Sequence, residues 1–523
     1  MLYRAFATVG GLTMVSRILG FIRDILIAAA LGSGIVADAF FVAFRFPNLF
    51  RRLFGEGAFN AAFVPLFAKR LEGEGEGSAR QFAEEAMSVL FFTLLVLSAI
   101  VMLAMPWLMV ILAPGFSDIP AKYDLAVLLS QLAFPYLLCM SLVALLSGVL
   151  NSLGRFWAAA AAPILLNVVL IASISIAIWL GFSQRFGAGI ILSIGVTVAG
   201  IVQLVMLWIA VRRAGLHFRL RWPRLTPGVK RLIALGIPGI IAGGITQINI
   251  VVGTIIASLQ AGAVSYLYYA DRLYQLPLGI VGVAIGVVLL PELARKLRAG
   301  EHAVAMNSQN RSLEFALLLT VPAAVALAVA ADPIVSVLFE RGAFTAADSK
   351  ATALALMAFA IGLPGFVLIK VFQPAFFARE DTQTPMRYAG VNMIINVAGS
   401  LGLFYLFQSW GYPPHVGIAL ATSIAGWANA ILLWIGLARR GDFKFDARLA
   451  RNLPIIVLAS AAMGATLWFA LPWISPFVAS GTQLPIRFAA LGALVAIGCA
   501  IFFALVMATG VLNTRQLAGI VGR

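Results

Sequence analysis

The chain opens with MLYRAFATVGGLTMVSRILGFIRD at residues 1–24, a long apolar segment that carries Arg17, Arg23 and Asp24. The arginines interrupt the apolar region and no small-residue cleavage site follows, which is not typical of a cleavable signal peptide. The segment is instead predicted to be a membrane-spanning helix, because such a helix needs about 20 mainly apolar residues. Its ionised groups raise the question of what they bind, since each is costly in hydrocarbon.

The rest of the chain has the same apolar character. Of 523 residues, 62% are hydrophobic and 11% are charged, whereas about 25% of residues are charged in a soluble domain. Long apolar runs recur to the end and predict about 14 transmembrane helices. The predicted fold class is therefore an all-α polytopic membrane protein without a separate soluble domain.

The chain has a net charge of +16, and its basic residues are distributed unevenly between the two predicted sides of the membrane. Of the 37 basic residues, 25 fall in loops predicted to be inside and five in loops predicted to be outside, namely Lys122, Arg185, Arg341, Lys350 and Arg487. The positive-inside rule then predicts that both termini are cytoplasmic. Attraction to anionic lipid accounts for the remaining bias, so no nucleic-acid partner is expected.

Several classes of chemistry lack the residues they need. Cys139 and Cys499 lie in apolar runs, which does not indicate a disulfide framework. His217, His302 and His415 are predicted in loops without metal-ligand spacing. The sequence contains no GxxxxGK[ST] phosphate loop. We therefore expect a transporter rather than an enzyme, with no metal and no ATP hydrolysis.

Internal similarity predicts a duplicated architecture. Three matches recur at an offset of 226 to 229 residues: FVPLFAKRL at 63–71 with LLPELARKL at 289–297, ILLNVV at 164–169 with MIINVA at 393–398, and Pro135 with Pro364. They predict two six-helix lobes, 1–222 and 226–441, followed by a helix pair at 448–512. Because six spans return the chain to the same side, the repeats are parallel.

Basic residues cluster within the predicted spans. The seven are Arg17, Arg23, Arg45, Arg51, Arg52, Arg272 and Lys370. A rise of about 1.5 Å per residue puts Arg17, Arg23 and Arg272 at similar depth, with Arg51 and Arg52 nearer the cytoplasmic mouth. This pattern favours a water-filled cationic cavity over a lipid-facing surface. Arginine suits phosphate oxygens, so the expected ligand is an anion with phosphate groups.

Carboxylates accompany these cations and leave a structural alternative open. Asp24, Asp38 and Glu56 lie near the arginines of residues 17–52, and Asp271 precedes Arg272. Arg17 and Asp24 are seven residues apart and share a helical face, whereas Arg23 lies about 120° away unless Gly20 bends the helix. Such pairs also serve as purely structural contacts, and Lys370 is expected to snorkel to the interface.

Three segments carry a resemblance to a known family. SRILGFIRD at 16–24, ADAFFVAFRFPNLFRRLFGEGAFNAAFVP at 37–65 and YYADRLYQLPLGIVGVAIG at 268–286 resemble the MurJ (MviN) lipid II flippases of the multidrug/oligosaccharidyl-lipid/polysaccharide exporter superfamily. The resemblance implies movement of undecaprenyl-pyrophosphate-linked muropeptide, lipid II, to the outer leaflet of the bacterial cytoplasmic membrane for cell-wall synthesis. It also implies membrane lipid and the cell-wall synthesis machinery as partners.

The resemblance assigns roles to individual residues. It implies that Arg17, Arg23 and Arg272 hold the pyrophosphate, that Asp38 and Arg51 are further functional charges, and that a groove at 448–512 takes the lipid tail. Some family members couple to sodium. Here the corresponding positions offer only amides and a hydroxyl, Asn249, Asn392, Asn396 and Thr422, without a carboxylate. Interhelical hydrogen bonding is the favoured interpretation, and the membrane potential or an ion gradient remains the expected energy source.

Rival functions make different demands on the sequence. The closest is a flippase for another undecaprenyl-pyrophosphate-linked glycan, which the same arginines would serve. A drug or cation antiporter would require acidic residues in its cavity. A membrane enzyme acting on polyprenyl phosphates would require paired catalytic groups, which are not apparent. A scaffold for wall assembly would not require arginines at midmembrane depth.

Overall fold

The computed structural model describes residues 2–51 and 59–512, and all regular structure within these ranges is helical. The helices of the N-terminal part are α1 Leu2–Leu31, α2 Ile35–Arg51, α3 Phe59–Gly73, α4 Glu76–Leu112, α5 Pro120–Ala133, α6 Tyr136–Ser152, α7 Trp157–Trp179, α8 Phe186–Arg213 and α9 Pro227–Ser258. Those of the C-terminal part are α10 Ala263–Arg298, α11 His302–Val329, α12 Ala331–Phe339, α13 Ala346–Phe377, α14 Gln383–Ser409, α15 Pro414–Arg439, α16 Ala447–Val478 and α17 Leu484–Ala508.

Ten helical segments within the described ranges combine the length and the apolar character of a membrane span. They are α4, the pair α5 and α6 taken together, α7, α8, α11, α13, α14, α15, α16 and α17. The prediction of an all-α, multi-pass membrane protein is thereby confirmed. The count of 14 spans and the cytoplasmic termini remain predictions.

The described helices form two compact units. The first contains residues up to Ser265 together with Gly342–Phe344, and the second contains Tyr266–Arg341 and the chain from Thr345 onward. The first unit includes α9 because this helix packs on α3 and α4. The lobe boundaries predicted from the repeats, 1–222, 226–441 and 448–512, describe internal similarity rather than packing, and they stay a prediction.

Helix α1 of the first unit lies against α7, which packs on α8, while α2 lies against α5. Lys122, predicted in an outside loop, instead lies in the first turn of α5 and is 3% exposed. That prediction was wrong because a buried carboxylate on α2 binds this lysine, as described below.

A tight backbone contact closes the α1–α2 turn of the first unit. The amide of Ala343 donates to the carbonyl of Ala29 at 2.7 Å. Gly32 and Gly342 flank the contact with φ of +64° and +57°, a region that side chains disfavour. A Cβ at Gly32 would overlap the carbonyl oxygen of Ala343, and one at Gly342 would overlap that of Ala29. Only glycine fits at either position.

In the second unit, α13 packs between α11 and α15, and the α16–α17 pair lies on α11. Buried apolar side chains join the pair to α11, among them Leu318, Ile456, Met463, Leu467, Leu494 and Phe502. Buried Glu314 of α11 also accepts a hydrogen bond from Asn452 of α16 at 2.6 Å. Apolar packing and one satisfied carboxylate therefore hold the C-terminal pair.

Two further loop predictions are corrected in the second unit. Arg487 lies in the first turn of α17, is 4% exposed, and donates to the carbonyls of Ser336 and Val478 at 2.7 and 3.1 Å. His415 lies in the first turn of α15, where its buried ring is 2.9 Å from the carbonyl of Ala351. Both polar side chains are buried because backbone carbonyls satisfy them.

Candidate functional site

The charged stretch of α1 places its two arginines in different environments. The helix is continuous through Gly20. Arg17 is exposed, whereas Arg23 is only 4% exposed. The Gly20 position faces Asn167 of α7, whose amide nitrogen would lie 3.5 Å from a Cβ there. Gly20 therefore permits close packing of α7 against α1.

Arg23 is held in a buried hydrogen-bond network. Its Nε and Nη2 donate to Oδ1 of Asp24 at 3.0 and 2.7 Å, and its Nη1 donates to Oδ1 of Asn167 at 2.9 Å. Asn167 in turn donates from Nδ2 to the carbonyl of Ser16 at 2.8 Å. The guanidinium also lies 5.9 Å from the ring of Phe44. These bonds hold the Arg23 guanidinium in one position, with its charge paired to Asp24.

Arg17 differs from Arg23 in its exposure and in its hydrogen bonding. It stands midway along α1, is exposed, and has neither a hydrogen bond nor an ion pair with any described residue. Asp24, which shares its helical face, is engaged by Arg23 instead. The guanidinium of Arg17 is thus available to an external anion.

Asp38 lies in a second buried network of the first unit, with no solvent exposure. Lys122 Nζ donates to Oδ2 at 2.7 Å, and the amide of Gly262 donates to the same oxygen at 2.9 Å. Ser265 donates to Oδ1 from its amide at 3.1 Å and from its hydroxyl at 2.6 Å. Lys122 also lies 4.1 Å from the ring centroid of Phe116. Asp38 is neutralised by a lysine, so it does not offset the arginines of α1.

The remaining predicted cations of α2 are partly described. Arg45 donates to the hydroxyl of Thr254 at 2.7 Å. Only the backbone of Arg51, the last residue of α2, is described, and Arg52 and Glu56 lie outside the described residues. The predicted cytoplasmic mouth therefore rests on the sequence alone.

Arg272 belongs to the second unit and is half-buried in α10. Its Nη2 donates to the hydroxyl of Tyr268 at 2.9 Å, and its guanidinium lies 5.0 Å from the ring of the same tyrosine. Asp271 accepts a hydrogen bond from Gln275. Lys370 of α13 is exposed and passes close to Gly282 of α10.

Among the amides considered for sodium, Asn396 makes an interhelical contact. Asn396 Oδ1 accepts from Thr422 at 3.2 Å and from Ser400 at 3.3 Å. Among the residues that the structure describes, the buried Oδ1 of Asn392 has no hydrogen-bond partner. Asn249 belongs to the first unit. One occupied and one unoccupied amide oxygen do not form a cation cage, so we derive no step through sodium.

Comparison with known sequences identifies one family. The model of the lipid II flippase MurJ family matches residues 27–488. A "Probable lipid II flippase MurJ" of Rhizobium meliloti (strain 1021) is 51% identical, covering 97% of this chain and 94% of the relative. One of the same description from Rickettsia prowazekii (strain Madrid E) is 35% identical, covering 96% of both chains.

Solved structures show the same fold. A "Lipid II flippase MurJ, inward closed conformation" has a TM-score of 0.77 at 24% identity and covers 98% of this chain and 99% of its own. An inward-facing multidrug resistance transporter of the MATE family, in the MOP superfamily, has a TM-score of 0.61 at 15% identity, with 83% and 97% covered. The expectation of a transporter rather than an enzyme is confirmed by the family. The chain belongs to the MurJ family of lipid II flippases.

Proposed function

We propose that this protein moves lipid II from the cytoplasmic to the periplasmic leaflet of the bacterial cytoplasmic membrane. The family match over residues 27–488 and the relatives named as lipid II flippases support this activity. The multi-pass helical fold is of the kind the activity needs. Lipid II, membrane lipid and the cell-wall synthesis machinery are the partners in this proposal.

The proposed topology has 14 spans. It adds α1, α2, α9 and α10 to the ten apolar helical segments, and it places both termini in the cytoplasm. The distribution of basic residues along the sequence supports this orientation.

We infer that Arg17, Arg23 and Arg272 hold the pyrophosphate. The observation that carries this inference is Arg17, an exposed cation midway along α1 that has no partner among the described residues. An ionised group at such a position is rarely kept without a function. Arg23 adds a second cation, fixed by Asp24 and Asn167. Arginine offers a planar set of donors that matches phosphate oxygens.

The mechanism we propose is alternating access by the two units. The pyrophosphate enters from the cytoplasmic side past Arg51 and Arg52 and is then neutralised by the central arginines. Neutralisation matters because a bare multivalent anion is very costly to move through an apolar medium. A cationic cavity also closes more easily once an anion fills it, so the ligand itself favours the switch. The membrane potential or an ion gradient supplies the energy.

Replacement of Arg17 by glutamine tests this function, and we expect it to have little effect on the stability of the fold. Arg17 has no hydrogen bond or ion pair to lose within the described part of the chain, so we expect an unchanged thermal midpoint in detergent. Loss of one charged hydrogen bond, about 1.5 to 3 kcal/mol, should lower lipid II translocation in proteoliposomes at least tenfold.

The matched control is Arg185→Gln. Arg185 is an exposed arginine of the same unit in the α7–α8 connection, and its loss should leave translocation unchanged. Full translocation by Arg17→Gln would contradict the assignment. The same assay with a polyprenyl-pyrophosphate linked to a different glycan tests the closest rival, because preference for that lipid over lipid II would replace the proposed substrate.

A further inference from the structure

The segment that joins α8 to α9 has an alternating pattern that transport of lipid II does not explain. Residues 216–222, LHFRLRW, alternate apolar and basic side chains and are called the strap here. Leu216 and Phe218 are buried, whereas Leu220 and Trp222 are 50% and 76% exposed. The strap therefore presents two apolar side chains that the protein does not cover.

The strap is fastened to α4 by specific hydrogen bonds. The amide of Arg219 donates to Glu84 Oε1 at 3.1 Å, and the amide of Arg221 donates to Ser88 Oγ at 2.9 Å. Arg221 Nε also lies 2.6 Å from Glu84 Oε2. Glu84 is buried. The side chains of Arg219 and Arg221 are nonetheless exposed, so they remain accessible to a ligand.

An apolar cavity of about 170 Å³ lies directly beside the strap. Its lining comes from α4, α6, α8 and the strap and consists of Met87, Phe91, Leu142, Leu146, Leu204, Trp208 and Leu220. A cavity of this size with an apolar lining prefers hydrocarbon to water. The chemistry of the cavity therefore selects an aliphatic chain.

In the proposed orientation, the cavity lies at the depth of the acyl chains of the cytoplasmic leaflet. Leu204 is nine residues from the end of α8 and Leu142 is ten from the end of α6, about 14 to 15 Å along each helix. Half of the hydrocarbon core is about 15 Å thick. In the proposed orientation, the cavity thus opens to the cytoplasmic leaflet beneath the strap.

We propose that this cavity and strap bind an anionic glycerophospholipid of the cytoplasmic leaflet. One acyl chain occupies the cavity, and the phosphate is bound by Arg219 and Arg221. Other exposed cations on the same connection and at the adjoining helix ends reinforce the choice of an anionic headgroup, namely Arg212, Arg213, Arg224, Lys230 and Arg231. The exposed indole of Trp222, beside Phe92 at 5.6 Å, suits the membrane interface.

This site is separate from the proposed substrate site. Arg17 and Arg23 lie on α1, which packs on α7, and neither helix contributes to the cavity lining. The inference rests on the proposed function only for the membrane orientation. Lipid binding and lipid II translocation are therefore measured independently.

Native mass spectrometry of the full-length protein with dioleoylphosphatidylglycerol tests the proposal. We expect Arg219→Gln/Arg221→Gln to weaken binding about tenfold, because each cation near an anionic surface contributes to attraction. The matched control Arg295→Gln/Arg298→Gln removes two exposed arginines at the end of α10 in the other unit and should leave binding unchanged. Dioleoylphosphatidylcholine should bind weakly to every variant.

A second pair of variants tests the cavity itself. Leu204→Trp fills it while the strap arginines remain, and should reduce binding of phosphatidylglycerol. Val205→Trp adds the same bulk at a neighbouring exposed position and should not. Arg17→Gln should retain phosphatidylglycerol even where translocation of lipid II fails, which separates the two proposals.

Three results would contradict the proposed phospholipid site. Unchanged phosphatidylglycerol binding in both the strap double variant and Leu204→Trp would show that neither element binds it. An equal loss in the α10 control would indicate nonspecific charge attraction. Displacement of phosphatidylglycerol by equimolar lipid II would assign the cavity to the substrate chain instead.

Discussion

Replacement of Arg23 by glutamine is expected to abolish lipid II translocation and to destabilise the protein. The substitution removes a cation of the proposed pyrophosphate site and leaves Asp24, 2% exposed, without its ion-pair partner. Breaking a buried ion pair from one side costs about 3 to 5 kcal/mol. We expect translocation in proteoliposomes to fall at least about a hundredfold, with a lower thermal midpoint in detergent.

A double variant separates these two effects. In Arg23→Gln/Asp24→Asn the uncompensated carboxylate is gone, so the thermal midpoint should recover much of the loss. Translocation should not recover, because the proposed pyrophosphate ligand is still missing. Recovery of translocation together with stability would show that Arg23 is only a structural partner of Asp24.

Replacement of Asp38 by alanine is expected to produce the largest loss of stability. Lys122 would remain buried without its carboxylate partner, and the amides of Gly262 and Ser265 would lose their acceptor. A buried charge left without its partner costs about 3 to 5 kcal/mol, before the lost backbone hydrogen bonds are counted. The thermal midpoint in detergent and the folded yield should both fall sharply.

Replacement of Lys122, the partner of Asp38, should lower the stability less than Asp38→Ala does, and this comparison checks the account. In Lys122→Met, Asp38 keeps three hydrogen-bond donors from Gly262 and Ser265. Asp38→Asn/Lys122→Met should be more stable than Asp38→Ala, because no unpaired charge is then buried. Asp124→Asn, an exposed carboxylate on α5, should have no effect. A larger loss for Lys122→Met than for Asp38→Ala would refute this account.

The position of Lys122 could not be predicted from hydropathy. Apolar runs predicted a helical multi-pass protein, because burial of backbone polar groups in hydrocarbon requires helices. The same reasoning assigned an isolated lysine to a loop, although it lies in the first turn of α5. Hydropathy describes a residue by itself and does not include its partner. Asp38 had no basic residue within one turn of its own helix, and a buried carboxylate without a local partner implies a distant one.

Asp24 shows a second limit, which concerns helical geometry. Residues seven apart share a face, and this periodicity associates Asp24 with Arg17. The structure pairs Asp24 with the adjacent Arg23 instead. Helical periodicity gives the direction of Cβ, but the guanidinium lies several bonds further out and reaches a neighbouring carboxylate.

Asn167 is the site residue that sequence reasoning did not single out. It bridges α7 to α1 by accepting from Arg23 and donating to the carbonyl of Ser16. A signal was present in the repeat, because ILLNVV aligns Asn167 with Asn396 of MIINVA. Asn396 also bonds across helices, to Thr422. An asparagine that recurs at the same position of two apolar repeats therefore indicates an interhelical hydrogen bond, even where no charged residue is adjacent in the sequence.

The paired glycines at the α1–α2 turn have a consequence for genetic screens. Gly32 and Gly342 carry no side chain and contact no proposed substrate group, yet a Cβ at either would strike a backbone carbonyl. Loss-of-function alleles should therefore accumulate at these codons as readily as at those of the arginines. An allele map alone would mark both glycines as substrate contacts, whereas their intolerance originates in the backbone.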